Sequence, residues 1–266
     1  MKYFDKKLQT PCCRNMHPAA LALALLLLLS PALAQFRTVE QPSSFGTADL
    51  KNIRQGYVIP QLVYGEGAAW DAWSSSFLEP SGEEPAPPEW TGDEDIDTEE
   101  ASYYSSEVAD WNTMYSARSL TDGDTASGWS EGVAGNGIGE VVIARVPDNK
   151  NIGIMNGFQR SASLYAKNAR PRRVRVWLMA AESMDFGQFD DLYYNVKALA
   201  SLETELADRQ GWQPLPLPSA NAPPTRAPGF DPADLTVKWF VAIQILSVYP
   251  GSAWQDTCIT EIGALP

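Results

Sequence analysis

Acidic and aromatic residues lie close together near the C-terminus of the chain, in the stretch VYPGSAWQDTCITEI. It brings Trp254, Asp256, Cys258 and Glu261 within a few positions of one another, which would suit a catalytic cluster or a metal site. A cysteine nucleophile needs a neighbouring base, and histidine commonly supplies it. The chain has a single histidine, His17. The catalytic interpretation therefore depends on whether His17 belongs to the mature protein.

The N-terminus has the pattern of a secretory signal peptide. An apolar run at residues 19–29 follows a basic region and precedes Ala32-Leu33-Ala34. The run is too short to span a bilayer, which takes ~20 residues, and we predict no transmembrane segment after cleavage. With residues 1–34 removed as a signal peptide, the mature chain keeps Cys258 and no histidine. This excludes Ser-His-Asp and Cys-His catalysis, histidine metal sites and an intramolecular disulfide, and predicts a secreted or periplasmic protein.

The stretch TDGDTASGW places Asp122, Asp124 and Ser127 in one tight turn. Carboxylates, hydroxyls and backbone carbonyls are the oxygen ligands of Ca²⁺, although this loop lacks the spacing of an EF-hand. Aspartate and glycine are also common turn formers. Taken alone, the residues leave a cation-binding loop and a simple turn as alternatives.

A glycine-rich loop, GVAGNGIGE, follows Trp129 and Glu131 and contains Asn136 and Glu140. It precedes a strand and lacks both G-x-G-x-x-G and the P-loop lysine, so it is not a phosphate-binding loop. Glu131 and Glu140 could imitate the paired carboxylates of a glycosidase. They could equally hold the loop by accepting backbone hydrogen bonds, and Trp129 could be part of the core.

A short basic cluster occurs in NGFQRSASLYAKNARPRRVRV, but the whole chain has a net charge of −13. Nucleic-acid binding needs a basic surface, so we expect none. Asn168 and Arg170 are candidate hydrogen-bond donors to a ligand, and the rest of the cluster is expected to be structural.

Strand-like runs separated by Gly, Pro and Asn recur from about residue 102 to the end, without β-α-β alternation. The sequence of residues 194–210 predicts a helix. Several short strands of this kind indicate an antiparallel β-sandwich of ordinary domain size. The runs are GEVVIARV, IGIMNGF, RRVRVWLMA, GWQPLPL, VKWFVAIQILSV and CITEIGAL.

The region before the predicted sandwich is different in composition. Residues 79–101 combine acids, Pro, Gly and Ser with little aliphatic content, which predicts a flexible acidic linker. Residues 35–78 form an N-terminal extension that either docks on the main domain or acts as a small recognition element. Within it, residues 62–64 suit a short strand, and Trp70 and Trp73 have the spacing of one helical face.

Three stretches together resemble the discoidin-like translocation domain of secreted bacterial NAD glycohydrolase toxins. They are DGDTASGWSEGVAGNGIGE, IMNGFQRSASLYAKNARPRRVRV and ILSVYPGSAWQDTCITEI, they have the family's order and spacing, and they cover about residues 117–262. The resemblance implies an all-β, jelly-roll β-sandwich similar to coagulation-factor type C domains and carbohydrate-binding modules, with ligands held by loops at one end. No segment matches the toxin's catalytic domain, so NAD hydrolysis is not expected.

The resemblance also implies a structural calcium ion, because many members carry one near the loop that corresponds to TDGDTAS. Its ligands here would be Asp122, Asp124, Ser127 and Glu261. Ser127 replaces the family's usual threonine and keeps the hydroxyl, whereas Phe158 replaces a tyrosine and loses one.

We therefore expect a non-enzymatic binding module that recognises a glycan or another surface polymer. Aromatic rings cover the C–H faces of sugars while carboxylates and amides bond their hydroxyls. The alternatives are a protein-interaction module that uses the acidic arm and, third, a glycan hydrolase. Deleting the residues before position 102 would separate the first two. The expected ligand-binding residues are Trp129, Glu131, Asn136, Glu140, Asn168, Arg170, Trp254 and Asp256.

Overall fold

The computed structural model describes residues 50–65, 72–187 and 190–266, so the predicted signal peptide and Trp70 lie outside the described residues. Within them the chain forms two sheets whose strand pairs are all antiparallel. This confirms the predicted all-β sandwich. No helix in the described ranges is long and apolar enough to cross a membrane.

The larger sheet has seven strands and the smaller has four. The larger consists of β1 (Val58–Gly65), β2 (Ala72–Ser74), β4 (Val141–Val146), β6 (Arg170–Ala180), β7 (Ser183–Phe186), β8 (Asp190–Glu205) and β10 (Trp239–Tyr249), and the smaller of β3 (Trp129–Ser130), β5 (Ile152–Asn156), β9 (Trp212–Pro214) and β11 (Cys258–Ala264). The larger sheet has the order β1-β8-β6-β10-β4-β2, with β7 paired to β8, and the smaller has the order β3-β11-β5-β9. The described residues also form two α-helices, α1 (Glu94–Asn112) and α2 (Ala162–Lys167), and short 3-10 helices at Leu50–Asn52, Ala117–Leu120 and Pro232–Asp234.

The seven-stranded sheet is buried on both faces. On β6, Val176 and Leu178 belong to the cluster that also contains buried residues of the small sheet, such as Ile154. Trp177 and Met179, the alternate positions, belong to a second cluster. Successive side chains of a strand point to opposite faces of the sheet. The alternating residues of β6 therefore pack into two separate apolar clusters, one on each face.

The prediction of a helix over residues 194–210 is wrong, because this segment lies largely in β8. β8 pairs with β6 on one side and with β1 on the other. Its acids face the basic residues of β6: Glu203 lies 2.6 Å from Arg175 and 3.0 Å from Arg173. Pairing on both sides outweighs the helix propensity of Leu, Ala and Glu, as tertiary context commonly does.

The N-terminal extension contributes two strands to the large sheet. β1 includes the predicted strand at residues 62–64 and pairs with β8, while β2 pairs with β4. Trp73 lies in β2, not on a helix, with its ring centroid 6.0 Å from that of Phe240. Leu50 and Ile53 complete the second apolar cluster. The extension is thus an integral part of this sheet.

The helix α1 overlaps the end of the segment predicted as a linker, and the sequence did not predict it. Asp93 caps it by accepting from the backbone N–H groups of Asp95 and Ile96. Asp97 accepts from Thr91 N and Oγ1, both at 2.8 Å. Carboxylates near a helix N-terminus also interact favourably with its dipole. No residue of α1 is buried. The predicted flexibility of the segment at residues 79–101 stays a prediction.

Candidate functional site

A pocket of about 270 Å³ lies beside the loop that joins β10 to β11. Three of the predicted ligand-binding residues, Asn168, Trp254 and Asp256, line it. The remaining walls come from the segment before β3, from β3 itself and from the ends of β5, α2 and β11. The lining residues are Leu78, Ser81, Tyr115, Ser130, Phe158, Leu164, Asn168, Trp254, Asp256 and Cys258.

Backbone hydrogen bonds clamp the β10–β11 loop onto the end of α2. The N–H groups of Ala253 and Trp254 both donate to the carbonyl of Lys167, at 3.2 and 2.9 Å. Gly251 permits this approach, because a Cβ there would lie 2.2 Å from the Lys167 oxygen and 2.4 Å from the Trp254 oxygen. Asn168 ends the helix and donates from Nδ2 to the Leu164 carbonyl at 3.0 Å. The clamp fixes Trp254 and Asn168 on one rim.

Three aromatic rings form the apolar part of the pocket. The rings of Tyr115 and Phe158 meet edge to face, with centroids 6.5 Å apart. The Tyr115 hydroxyl lies 2.7 Å from Ser81 Oγ. Trp254 is 43% exposed, and the Lys167 ammonium lies 5.4 Å from its ring centroid. The indole of Trp254 is therefore partly exposed where it lines the pocket.

Among the described residues that line this pocket, only Asp256 is acidic, and the carboxyl of Glu131 is buried nearby without lining it. Burial raises the pKa of Asp256 above its usual value. Glu131 is fully buried; one of its oxygens accepts from Val133 N at 2.8 Å, and the other has no hydrogen-bond partner. Burial raises the pKa of Glu131 to about 7, and the nearby carboxylates of Asp256 and Glu140 add to the increase.

Cys258 is buried. Its thiol donates to Ser130 Oγ at 3.4 Å. Burial raises the pKa of the thiol to about 12. Because the thiolate is the reactive form, this side chain is inert at neutral pH.

Two predicted ligand-binding residues lie in the interior, away from the pocket. Trp129 is fully buried and donates from Nε1 to the Ser76 carbonyl at 2.8 Å. Glu140 is 2% exposed. It accepts from the hydroxyls of Ser75 and Ser76, each at 2.6 Å, and it pairs with Lys51 at 2.5 Å. Both side chains connect the N-terminal extension to the sandwich.

Arg170 and Asn136 are also engaged within the protein. Arg170 forms a two-point ion pair with Asp208, with both N–O distances at 2.6 Å, and this hydrogen bonding lowers the pKa of Asp208. The guanidinium lies 4.8 Å from the ring centroid of Tyr165. The backbone carbonyl of Asn136 accepts from Thr257 Oγ1 at 2.9 Å, which ties the glycine-rich loop to the loop that carries Asp256.

The four residues of the expected calcium site lie near one another. Ser127 Oγ donates to Asp122 Oδ2 at 2.7 Å and to the Asp124 carbonyl at 2.9 Å. Glu261 is 4% exposed and has one oxygen without a partner. Burial and the neighbouring carboxyl of Asp122 raise its pKa to about 8. Within the described ranges, no group of three His, Cys, Asp or Glu side chains that could hold a metal ion is found, and the hydrogen bonds of Ser127 join both aspartates of the loop.

Comparison with known proteins agrees with this architecture. A family model for the NAD glycohydrolase translocation F5/8 type C domain matches residues 93–264, well over half of the chain. The chain belongs to this family. A search of curated proteins finds no match. The translocation-domain match confirms the resemblance carried by the three sequence stretches, and β1 and β2 precede the matched segment.

Several pocket residues of this translocation domain were not predicted from the sequence. Tyr115 lies just before the first motif and Leu78 lies well upstream of it, and the sequence gave no reason to single out either residue. The sequence drew attention to Phe158 only because it replaces the family's usual tyrosine, and it did not predict that Phe158 lines the pocket. Only the folding of the β2–β3 segment against α2 and the β10–β11 loop brings them together.

Proposed function

We propose that this domain is a non-catalytic binding module that holds a glycan in the pocket bounded by Tyr115, Phe158 and Trp254. The supporting observation is the exposed Trp254 ring beside polar Asn168 and Asp256 in one concavity. Aromatic faces cover sugar C–H surfaces, and amide and carboxylate groups bond hydroxyls. At about 270 Å³, the pocket lies just below the usual ~300–1,000 Å³ of small-molecule sites, which suits a single sugar ring.

The family match supports the non-catalytic role, because it describes a translocation domain. The arrangement of Glu131 and Glu140 gives no support to glycan hydrolysis. A glycosidase needs both carboxyls to face the scissile bond, whereas Glu140 is held by Lys51 and by the hydroxyls of Ser75 and Ser76.

Replacing Trp254 with alanine should weaken glycan binding at least tenfold, about 1.4 kcal/mol, because it removes the accessible ring face. A glycan array would identify a ligand, and isothermal titration calorimetry would then compare the variants. Trp90→Ala is the matched control, since Trp90 is 60% exposed and lies outside the pocket lining. Unchanged affinity in Trp254→Ala would rule out this pocket as the glycan site.

We also propose that the protein works outside the cytoplasm, either secreted or periplasmic. Export suits a translocation domain of this family, and the signal-like N-terminus of the sequence points the same way. Recovery of the full-length protein only in the cytoplasm of its host would contradict this.

A protein-interaction module is the second candidate, and α1 favours it. The helix has the sequence EDIDTEEASYYSSEVADWN, with no basic residue, and none of its side chains is buried. Such a helix offers an acidic surface to a basic partner. Deleting the residues before position 102 would also remove β1 and β2, so it does not separate the two functions. Glu99, Glu100 and Glu107 changed together to Gln would weaken partner capture and leave glycan binding intact.

A calcium ion at Asp122, Asp124, Ser127 and Glu261 is the cofactor that we propose. The donors are all oxygens, as calcium prefers, and Glu261 has an unpartnered buried oxygen. The ion would tie the last strand to the TDGDTAS loop.

Calcium should raise the melting temperature relative to EDTA, by an amount that corresponds to ~2.7 kcal/mol when calcium is at 100 times its Kd. With its pKa raised to about 8, Glu261 must lose a proton to bind the ion. The shift should therefore grow as the pH rises from 6 to 8. Differential scanning fluorimetry at both pH values measures it. Glu261→Gln should abolish the shift and Asp148→Asn should keep it, whereas no shift in the wild type would refute the site.

A further inference from the structure

Among the residues that the structure describes, no Lys or Arg forms an ion pair with the acidic side of the pocket. Asp256 lines the pocket, and Glu131 lies close enough for its pKa to respond to the Asp256 charge. Among the described residues, neither carboxyl has a Lys or Arg among the charges that influence it, and neither takes part in an ion pair. Asp256 therefore offers the pocket a carboxyl group that no Lys or Arg of the described residues pairs with.

Two basic side chains that contact lining residues of the pocket, Arg170 and Lys167, interact with other groups. Arg170 forms its two-point pair with Asp208. The Lys167 ammonium lies over the Trp254 ring, where its charge interacts with the ring face. That contact also shows that this indole can attract an ammonium group, as electron-rich ring faces do.

The remaining lining reinforces the preference for a cation. Tyr115 and Phe158 place two more rings in the same pocket as Asp256. A pocket lined by both a carboxylate and aromatic rings attracts an alkylammonium group through the carboxylate charge and the ring quadrupoles. Neutral amides gain neither attraction, and an anionic sugar would be repelled by Asp256.

We propose that the pocket selects a sugar unit with a free, protonated amine, a hexosamine, over neutral and N-acetylated sugars. The amine would lie against Asp256, with the ring of the sugar on Trp254. This inference rests on the proposed glycan-binding function and narrows its ligand class.

Four probes test the proposal on the full chain by calorimetry at pH 6.5. They are the β-1,4-linked tetramers of glucosamine, of N-acetylglucosamine and of glucose, and a tetrapeptide of lysine. We expect the glucosamine tetramer to bind at least tenfold more tightly than each of the other three. This comparison uses the wild-type protein, so it does not depend on the folding of any variant.

Asp256→Asn then assigns the selectivity to a residue. It should reduce the preference for glucosamine over glucose tetramers to less than twofold. Asp148→Asn is the matched control. Asp148 lies just after β4, and Val146 at the end of β4 pairs with Trp239 at the start of β10. The pocket loop follows the other end of β10, about 30 Å away at ~3.3 Å per residue. The Asp148→Asn variant should therefore keep the full preference for glucosamine.

The outcomes separate this inference from the function on which it rests. Equal affinity for the three tetramers overturns the amine preference while the glycan proposal stands. Failure of all three to bind overturns both. Tighter binding of the lysine peptide than of the glucosamine tetramer overturns the assignment of the amine to a sugar.

Discussion

A chain that begins at residue 79 should fail to form the sandwich, although it contains the entire segment, residues 93–264, that matches the family model. The deletion removes β1 and β2, one from each edge of the larger sheet. It also uncovers part of the second apolar cluster, because Leu50, Ile53 and Trp73 belong to it. The matched segment is therefore shorter than the folding unit.

Loss of the partners of Glu140 adds to the effect. This buried carboxylate would lose Lys51 and the hydroxyls of Ser75 and Ser76. Leaving a buried acceptor without its hydrogen-bond partners costs ~1–3 kcal/mol, and more for a charged group. Trp129 would lose the Ser76 carbonyl as well. Since a domain is stable by only ~5–15 kcal/mol, these losses together are enough to unfold it.

Circular dichroism and urea denaturation of the residue 79–266 chain would measure the outcome. We expect no cooperative transition. The control chain begins at residue 50 and keeps every described strand, and it should unfold cooperatively. A cooperative transition in the shorter chain, at a urea midpoint close to that of the control, would show that the extension is dispensable.

Gly132→Ala should destabilise the domain by about 3 kcal/mol or more. A Cβ at this position would lie 2.0 Å from the carbonyl oxygen of Phe77 and 2.4 Å from its carbon. Both atoms belong to the backbone, so no side-chain rotation relieves the overlap. The segment that contains Phe77 and Leu78 would have to move away from β3. This movement would break the 2.9 Å hydrogen bond from the Leu78 N–H to the Ser130 carbonyl.

Gly263→Ala provides the matched control for this substitution. Its Cβ would have Trp212 Cη2 as its nearest atom, at 3.7 Å, an ordinary van der Waals contact. We expect a change within about 1 kcal/mol, since Gly-to-Ala changes at compatible sites are neutral or mildly stabilising. Urea midpoints of the two variants compare them directly. Equal midpoints would mean that the loop after Phe77 yields easily.

The strands of the domain were predictable where alternation and turn residues coincide. The runs at β4, β5, β6, β10 and β11 were found because β-branched and aromatic residues cluster between Gly, Pro and Asn. β8 was missed because its Leu, Ala and Glu residues favour a helix in isolation. Its acids are instead paired with arginines of β6, contacts that depend on a distant strand.

The site was predictable only in part. Asn168, Trp254 and Asp256 lie in motifs that the sequence singled out, and all three line the pocket. Glu140 and Trp129 belong to the same motifs but bind residues of the N-terminal extension. A motif shows which residue type occupies a position. It does not distinguish a side chain that stabilises the loop from a side chain that contacts a ligand.

By itself, the sequence determined the β-sandwich class, the family and the proximity of Glu261 to the TDGDTAS loop. These follow from local periodicity and from motifs whose order is preserved. Only the tertiary structure decided that residues 50–65 and 72–74 complete the large sheet and that Tyr115 and Phe158 join Trp254 in one pocket. Such contacts join residues far apart in the chain, where strand pairing and burial outweigh local propensity.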